Sequence, residues 1–243
     1  MNPNYYMLLE VYAYDKKKRL GNEMDGGYVI GLLDGGYQCY ISAGISNEES
    51  FSRDFIHMYK MDESNSFAFD GTIESYPYEY TRNISFVKKN ISCLSDNEHT
   101  NLKELISKYN DIFLKMDIEG GEYPWLMSLN SEELDHFKQI VIEFHGITGN
   151  GWNCNYHTKI HCLEKLKKTH YLIHAHGNNW GPVVNGIPDV VELTYVNKSY
   201  FDSHFMTTLL QNHLPLPDAQ LDFPNKPDSP EIDLNHYPFS TLR

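Results

Sequence analysis

From Tyr37 to Val196 the chain alternates short apolar runs with segments whose apolar residues recur at helical spacing. Strand-sized runs fall at 37–43, 66–69, 84–91, 112–116, 139–144, 171–175 and 190–196. Between them, helical faces are marked by Phe51, Phe55, Met58 and Tyr59 within 48–59, by Leu102, Leu105, Ile106 and Tyr109, by a segment over 122–137, and by Ile160, Leu163 and Leu166. Few folds accommodate this rhythm. A strand followed by a helix and a parallel strand must cross over the sheet, so the expectation is a mostly parallel sheet with helices on both faces. The last two runs lack a long helix between them, which predicts an antiparallel edge strand.

In such sheets, sites form where strands end and helices begin. The sharpest such junction is Asp111-Ile-Phe-Leu-Lys-Met-Asp-Ile-Glu-Gly-Gly-Glu-Tyr-Pro-Trp125. Its apolar run stops at Asp117 and Glu119, Gly120 and Gly121 permit a tight turn, and Glu122 and Pro124 suit a first helical turn. The first strand ends in Ser42-Ala43-Gly44, and the second in Asp70-Gly71. Glu48 and Glu49 occupy the helix start where a polyphosphate would have to lie, and two carboxylates there would repel it. No phosphate-loop pattern and no full G-x-G-x-x-G is present. A ligand carrying a zwitterionic amino acid and a cationic sulfonium fits this turn better. Asp70 is placed to accept hydrogen bonds from ribose hydroxyls; the competing reading is a turn-starting or capping aspartate.

The flanks are simpler. Residues 3–16 predict a helix with Tyr5, Leu8, Leu9 and Tyr12 on one face, and 19–28 are rich in turn residues before a strand near 28–32. From about residue 213 prolines recur and periodicity vanishes, which suggests an extended tail wrapping the domain or pairing with another subunit. The division expected is an N-terminal helix and turn-rich segment over 1–36, the main domain over 37–200, and a C-terminal helix with a proline-rich tail over 201–243.

The net charge of -13 disfavours nucleic acid and anionic membranes as partners, since both reward basic patches. The basic runs at 16–19 and 165–168 are short. No apolar run is long enough to span a membrane, and no secretory leader is recognisable, so a cytoplasmic location with four free thiols is expected.

Several segments occurring in order over 19–196 together resemble one family. They are Leu20-Gly21 with Asp25-Gly-Gly-Tyr28, Ser42-Ala-Gly-Ile45 with Ser50-Phe51, Leu114-Lys-Met-Asp-Ile-Glu-Gly-Gly-Glu122, Ile142-Glu-Phe-His145, His176-Gly-Asn-Asn179 and Glu192-Leu-Thr-Tyr195. The chain resembles the FkbM-like family of class I S-adenosylmethionine (SAM)-dependent methyltransferases. The resemblance implies an α/β, Rossmann-like class I methyltransferase fold of seven strands, SAM as cofactor, and methyl transfer to oxygen. Some relatives act on sugars, including glycan-modifying enzymes of large DNA viruses, so a sugar or glycan acceptor is the expected partner. The cofactor would meet Asp25, Gly26, Ser42, Ala43, Gly44, Asp70, Gly71 and Asp117.

Methyl transfer to a hydroxyl needs alignment and removal of a proton. Asp117, Glu119, Glu143 and His145 are expected at the ends of two neighbouring strands. Asp117, Glu119 or His145 could carry the proton, histidine being suited by a pKa near neutrality. Alternatively Asp117 or Glu119 joins Glu143 and His145 around Mg or Mn, since oxygen donors with one imidazole suit a hard ion. The plainer readings are a helix cap for Glu119, an ion pair with Lys115 for Glu143, and a hydrogen-bonded turn residue for His145.

His174 and His176 point to one side of a strand, where structural hydrogen bonds outrank metal binding. Trp180 beside them could stack on a sugar. Cys154, His157, His161 and Cys162 make a poor zinc set, because Cys162 leaves the helix face shared by the two histidines. A metal-dependent hydrolase and a non-catalytic glycan-binding protein are the competing functions, and a homodimer is the oligomer entertained.

Overall fold

A computed structural model describes residues 3–152, 154–204 and 209–241. A hairpin, β1 (Lys17–Leu20) and β2 (Tyr28–Gly31), precedes the main sheet. The parallel run begins with β3 (Cys39–Ala43), α2 (Ser50–Tyr59), β4 (Ser66–Phe69) and β5 (Ser85–Val87); a short helix, α1 (Pro3–Leu8), lies before all of them. Two short paired strands, β6 (Asn90–Ile91) and β7 (His99–Thr100), and α3 (Lys103–Lys108) lead to β8 (Ile112–Met116). Next come α4 (Glu122–Ser128), α5 (Ser131–Asp135), β9 (Phe137–His145), α6 (Tyr156–Thr169) and β10 (His170–Gly177). A small ribbon, β11 (Val183–Val184) with β12 (Ile187–Pro188), precedes β13 (Val190–Asn197) and α7 (Lys198–His204).

The main sheet has seven strands in the order β10-β13-β9-β8-β3-β4-β5. Neighbours from β9 to β5 are parallel, and β13 is antiparallel to both β9 and β10. The antiparallel strand therefore lies one place in from the edge, not at the edge as its late position in the chain suggested. The chain reverses at β3, running outward to β5 and then back across to β8, and a switch of this kind opens a crevice at the carboxyl ends of the strands.

The two faces of the sheet follow the period of two. Ile112, Leu114 and Met116 of β8 and Ile140, Ile142 and Phe144 of β9 join one apolar cluster under α3 to α6. Phe113 and Val141 face the other way, into a cluster with Phe51 and Phe55 of α2 and Tyr28 and Ile30 of the hairpin. On this second face the side chains become charged toward the carboxyl ends: Lys115 on β8, Asp117 just past its end, and Glu143 and His145 on β9. Register places Glu192 of β13 opposite Glu143 and His176 of β10 opposite Glu192, so one polar row crosses the sheet there.

Several boundaries differ from the sequence reading. The first helix ends at Leu8, because Tyr12 bridges to Gln211 and its amide donates to the Leu172 carbonyl. The helix expected over 122–137 is two, broken at Asn130, whose side chain and Glu133 form a capping box for α5. The strand expected over 84–91 is interrupted after Val87. Tyr5, Leu9 and Val11 near the N-terminus and Leu216, Leu234 and Phe239 of the tail belong to the same apolar cluster as the central strands. Part of the tail expected over 201–243, residues 205–208 and the last two, lies outside the described residues.

Candidate active site

A cavity of about 700 Å³ opens at the carboxyl ends of β3, β4 and β8, within the roughly 300–1,000 Å³ typical of small-molecule sites. Its walls are the 44–48 turn, Asp70 and Thr72, the Asp117–Glu119 turn, and Asp25, Gly26 and Tyr28 of the loop between β1 and β2. Gly44 sits at its floor with φ +77°, and a Cβ there would lie 1.5 Å from the Asp117 carbonyl oxygen. The β3 turn and the β8 turn thus touch backbone to backbone, as the Asp117 amide donating to the Ala43 carbonyl at 2.9 Å confirms.

The helix start carries a carboxylate of its own. Glu48 Oε1 accepts from the Ser50 amide at 2.7 Å, and its Oε2 accepts from Asn22 at 2.7 Å and from the Tyr80 hydroxyl at 3.0 Å. The anion position at the N-terminus of α2 is filled by Glu48, so a phosphate is excluded and a cationic ligand group is favoured. Glu49 is buried and accepts from Ser42 Oγ and the Tyr76 hydroxyl. Burial raises its pKa although the nearby Lys115 charge pulls it down. Lys115 Nζ donates to the Gly44 carbonyl at 2.8 Å and makes no ion pair with Glu143, the plainer alternative weighed for that carboxylate.

Asp70 is engaged by the protein. Its Oδ2 accepts from the Ile45 and Ser46 amides, each at 3.0 Å, and its Oδ1 accepts from the Thr72 amide at 2.7 Å and hydroxyl at 2.6 Å. Burial alone would raise its pKa, but these bonds outweigh it and lower it. A ribose diol reaching Oδ1 has to displace the Thr72 hydroxyl, because all the acceptor positions of the carboxylate are taken. Asp70 thus clamps the β3 and β4 turns together, as the turn-residue alternative in the sequence would have it, while still lining the cavity. Asp25, Gly26, Gly44, Asp70 and Asp117 line the cavity; Ser42, Ala43 and Gly71 stand behind its wall. Ser42 is spent on Glu49, the Ala43 carbonyl on Asp117, and the Gly71 amide on Asn90.

Asp117 connects this cavity to a second group. His145 Nδ1 lies 2.9 Å from Glu122 Oε1, while its Nε2 faces Glu119 at 3.4 Å, Glu143 at 3.7 Å and Asp117 at 3.8 Å. The period of two on β9 puts Glu143 and His145 on one side, and β8 delivers Asp117 beside them. Glu119 takes φ +54°, a conformation that aims the turn at this group and strains a residue with a Cβ. Burial pulls the His145 pKa down, but the Glu122 hydrogen bond and the charges of Glu122, Asp117 and Glu119 outweigh it and raise it. Burial, then Asp117 and Glu192, hold the Glu143 pKa well above the ordinary range. Glu119 is raised by burial and by Asp117, against the pull of His145.

Four residues of this site were given no role in it by the sequence reading. Glu122 looked like a first-turn acid, yet it is fully buried and orients His145. The Tyr28 hydroxyl donates to Asp117 at 3.2 Å, and Asn178 donates to Glu143 at 2.8 Å. Trp152 packs 4.9 Å from the His145 ring and keeps 43% of its surface exposed. Gly120 and Gly146 make room for it, since a Cβ on either would come within 2.9 Å of its atoms.

His174 and His176 face the tail instead of an acceptor pocket. His174 Nε2 meets Asp222 at 2.8 Å, and His176 meets Glu192 and Glu231 at 3.1 Å each. Asn225 donates to Glu192 at 2.7 Å, and Lys226 lies over one face of the exposed Trp180 ring, 4.8 Å from its centre. The cysteine–histidine set is not assembled: Cys162 donates to the Tyr123 carbonyl inside the core, and His161 pairs with Glu164.

A seven-stranded sheet with a penultimate antiparallel strand, with Glu48 filling the helix start at its switch point, frames this site, and the family match makes it that of a SAM-dependent methyltransferase. The chain belongs to the FkbM family of methyltransferases: the model of the methyltransferase FkbM domain matches residues 26–179. Among solved structures it is similar to a TehB-like SAM-dependent methyltransferase from Corynebacterium glutamicum, at 13% identity and TM-score 0.38, covering 68% of this chain and 83% of that one. It is also similar to a precorrin-6y C5,15-methyltransferase from Geobacter metallireducens, at 14% identity and TM-score 0.32, covering 68% and 82%. No curated protein matches the chain. No helix among the described residues is long and apolar enough to cross a membrane.

Proposed function

We propose that this protein methylates a hydroxyl oxygen of a sugar within a glycan. The observation that carries the reading is the position of Asp117, which lines the cofactor cavity and also stands 3.8 Å from His145 Nε2. A proton acceptor therefore borders the cavity that would hold the methyl donor. Bound SAM supplies a methyl group on a cationic sulfur. Gly44, Glu48 and the loop around Asp25 and Gly26 hold it, with Asp70 stiffening the turn beneath. The acceptor hydroxyl attacks from the side of Asp117, and its proton passes to the Asp117, Glu119 and His145 group, whose outer member Glu119 opens to solvent with its side chain 72% exposed.

Carbohydrate is favoured by what surrounds the group. Asp25 and Glu119 offer hydrogen-bond acceptors to hydroxyl donors, and Trp152 offers a half-open aromatic face beside His145. The acidic rim is a poor host for a phosphorylated acceptor. The test is a screen with isotopically labelled methyl donor against free sugars, oligosaccharides and nucleotide-linked sugars. O-methyl products from unphosphorylated sugars are expected. Cofactor binding without transfer to any of them, or transfer to nitrogen instead, overturns the reading.

A further inference from the structure

We propose that Asp117, Glu143 and His145 form a binding site for a divalent cation of the Mg²⁺ or Mn²⁺ type, held by one oxygen from each carboxylate and by His145 Nε2. One donor atom from each of the three lies within 4.8 Å of the others. Ligands about 2.1 Å from an octahedral ion stand about 3 Å apart when adjacent and about 4.2 Å apart when opposite, so the three donors need to close in by fractions of an ångström. Two oxygens and one imidazole nitrogen suit a hard or borderline ion and would be a poor site for a soft one.

Two further observations separate this group from a chance cluster of acids. The first is His145 Nε2. The ring is 6% exposed, its Nδ1 is committed to Glu122, and Nε2 faces three carboxylates, Glu119 at 3.4 Å, Glu143 at 3.7 Å and Asp117 at 3.8 Å. With Nδ1–H bonded to Glu122, Nε2 is the ring nitrogen turned toward these carboxylates, and a cation bound among them would take the place of its proton. The second is that each prospective ligand is fixed by its own outer partner: Glu122 on His145, Asn178 on Glu143 at 2.8 Å, and Tyr28 on Asp117 at 3.2 Å. Metal ligands are oriented in this manner, and the carboxylate–histidine–metal arrangement is among its commonest forms. No lysine or arginine among the described residues pairs with Asp117 or Glu143, so a cation at the centre supplies the charge that these carboxylates lack.

The proposal deepens the methyl-transfer reading. An ion here would border the cofactor cavity, draw in the acceptor hydroxyl oxygen and lower its pKa. During transfer the oxygen lone pair forms the new C–O bond, and the carbon–sulfur bond breaks with its electrons on sulfur. The hydroxyl proton goes to the group already assigned to receive it, in which Glu119 is the member left outside the ligand set.

The test needs neither cofactor nor acceptor. Full-length protein is stripped with EDTA, desalted and titrated with Mn²⁺, and free Mn²⁺ is read by its electron paramagnetic resonance signal. A single site per chain is expected, with nitrogen modulation of the bound signal from one imidazole. Glu143→Gln and His145→Ala should each weaken binding about 100-fold, and Glu122→Gln about 10–100-fold, the range seen for outer partners. Glu119→Gln should leave it unchanged. Calorimetry with SAM checks that each variant is folded, and Asp117→Asn replaces any variant that is not. Absence of Mn²⁺ binding below millimolar concentration, or binding indifferent to both Glu143→Gln and His145→Ala, overturns the proposal. A chain that binds Mn²⁺ here yet methylates no acceptor upholds the ion site and overturns the functional reading instead.

Discussion

Gly44→Ala probes the contact on which the site turns. The added Cβ would lie 1.5 Å from the Asp117 carbonyl oxygen and 2.6 Å from its carbon, where real contacts stay beyond 3.0 Å. The two turns must then part by about 1.5 Å, which breaks the 2.9 Å hydrogen bond from the Asp117 amide to the Ala43 carbonyl. At φ +77° the alanine also meets a conformation that costs about 1–2 kcal/mol, and a buried backbone hydrogen bond is worth about 1 kcal/mol. Together the loss is about 3 kcal/mol, which for a chain of this size lowers the melting temperature by roughly 6–12 °C. SAM affinity, measured by calorimetry, should fall more than tenfold, since Gly44 and Asp117 both line the cavity. Gly36→Ala is the control: φ is +66° and its Cβ would meet nothing within 4 Å, so it carries the conformational cost alone. A Gly44→Ala protein that melts within about 2 °C of wild type and binds SAM normally would refute the reasoning.

Asp70→Ala frees the amides of Ile45, Ser46 and Thr72; a loss of about 2 kcal/mol and a tenfold or greater loss of SAM affinity are expected, read by thermal melts and calorimetry. Glu119→Gly relieves a non-glycine residue at φ +54°, so stability should hold or rise by about 1 kcal/mol while methyl transfer falls, and a parallel loss of both would contradict the assignment. Burial lowers the His176 pKa, but Glu192 and Glu231 outweigh it and raise it well above 6.5. Its charged form therefore stabilises the fold fully below the unfolded value, and that contribution disappears as pH rises through the folded one. Limited proteolysis of the segment around Glu231 should accelerate on the alkaline side, and His176→Gln should flatten that dependence; a profile identical in the two proteins would exclude it.

Much of this architecture was legible because it is written in local periods. The apolar runs of β3, β4, β8 and β9 and the acidic and glycine residues that end them stand next to one another in the chain, so Asp117, Glu143 and His145 could be grouped from spacing alone. What the sequence hid depends on distant residues. Asp70 sits where a ribose acceptor belongs, but its donors Ile45 and Ser46 come from another turn 24 or 25 residues away. His174 and His176 were read as structurally hydrogen-bonded, but their partners Asp222 and Glu231 could not be named, because these lie 48 and 55 residues later in a segment without periodicity. Glu122 was hidden differently: an acid in a first helical turn is ordinary, and only the packing of α4 against β9 turns it inward.

The tail also places a condition on the order of events in synthesis. Asp222, Asn225 and Glu231 neutralise or bond side chains at the ends of β10 and β13, and Leu234 and Phe239 complete the central apolar cluster. These residues are synthesised after every strand of the main sheet. Until they emerge, His174 and His176 lack carboxylate partners and the far end of the sheet is open to water. A chain that stops before Asp222 therefore has every cavity-lining residue and still cannot close its sheet. Closure of the sheet thus waits on residues 222–239, which follow in the chain every strand they cover.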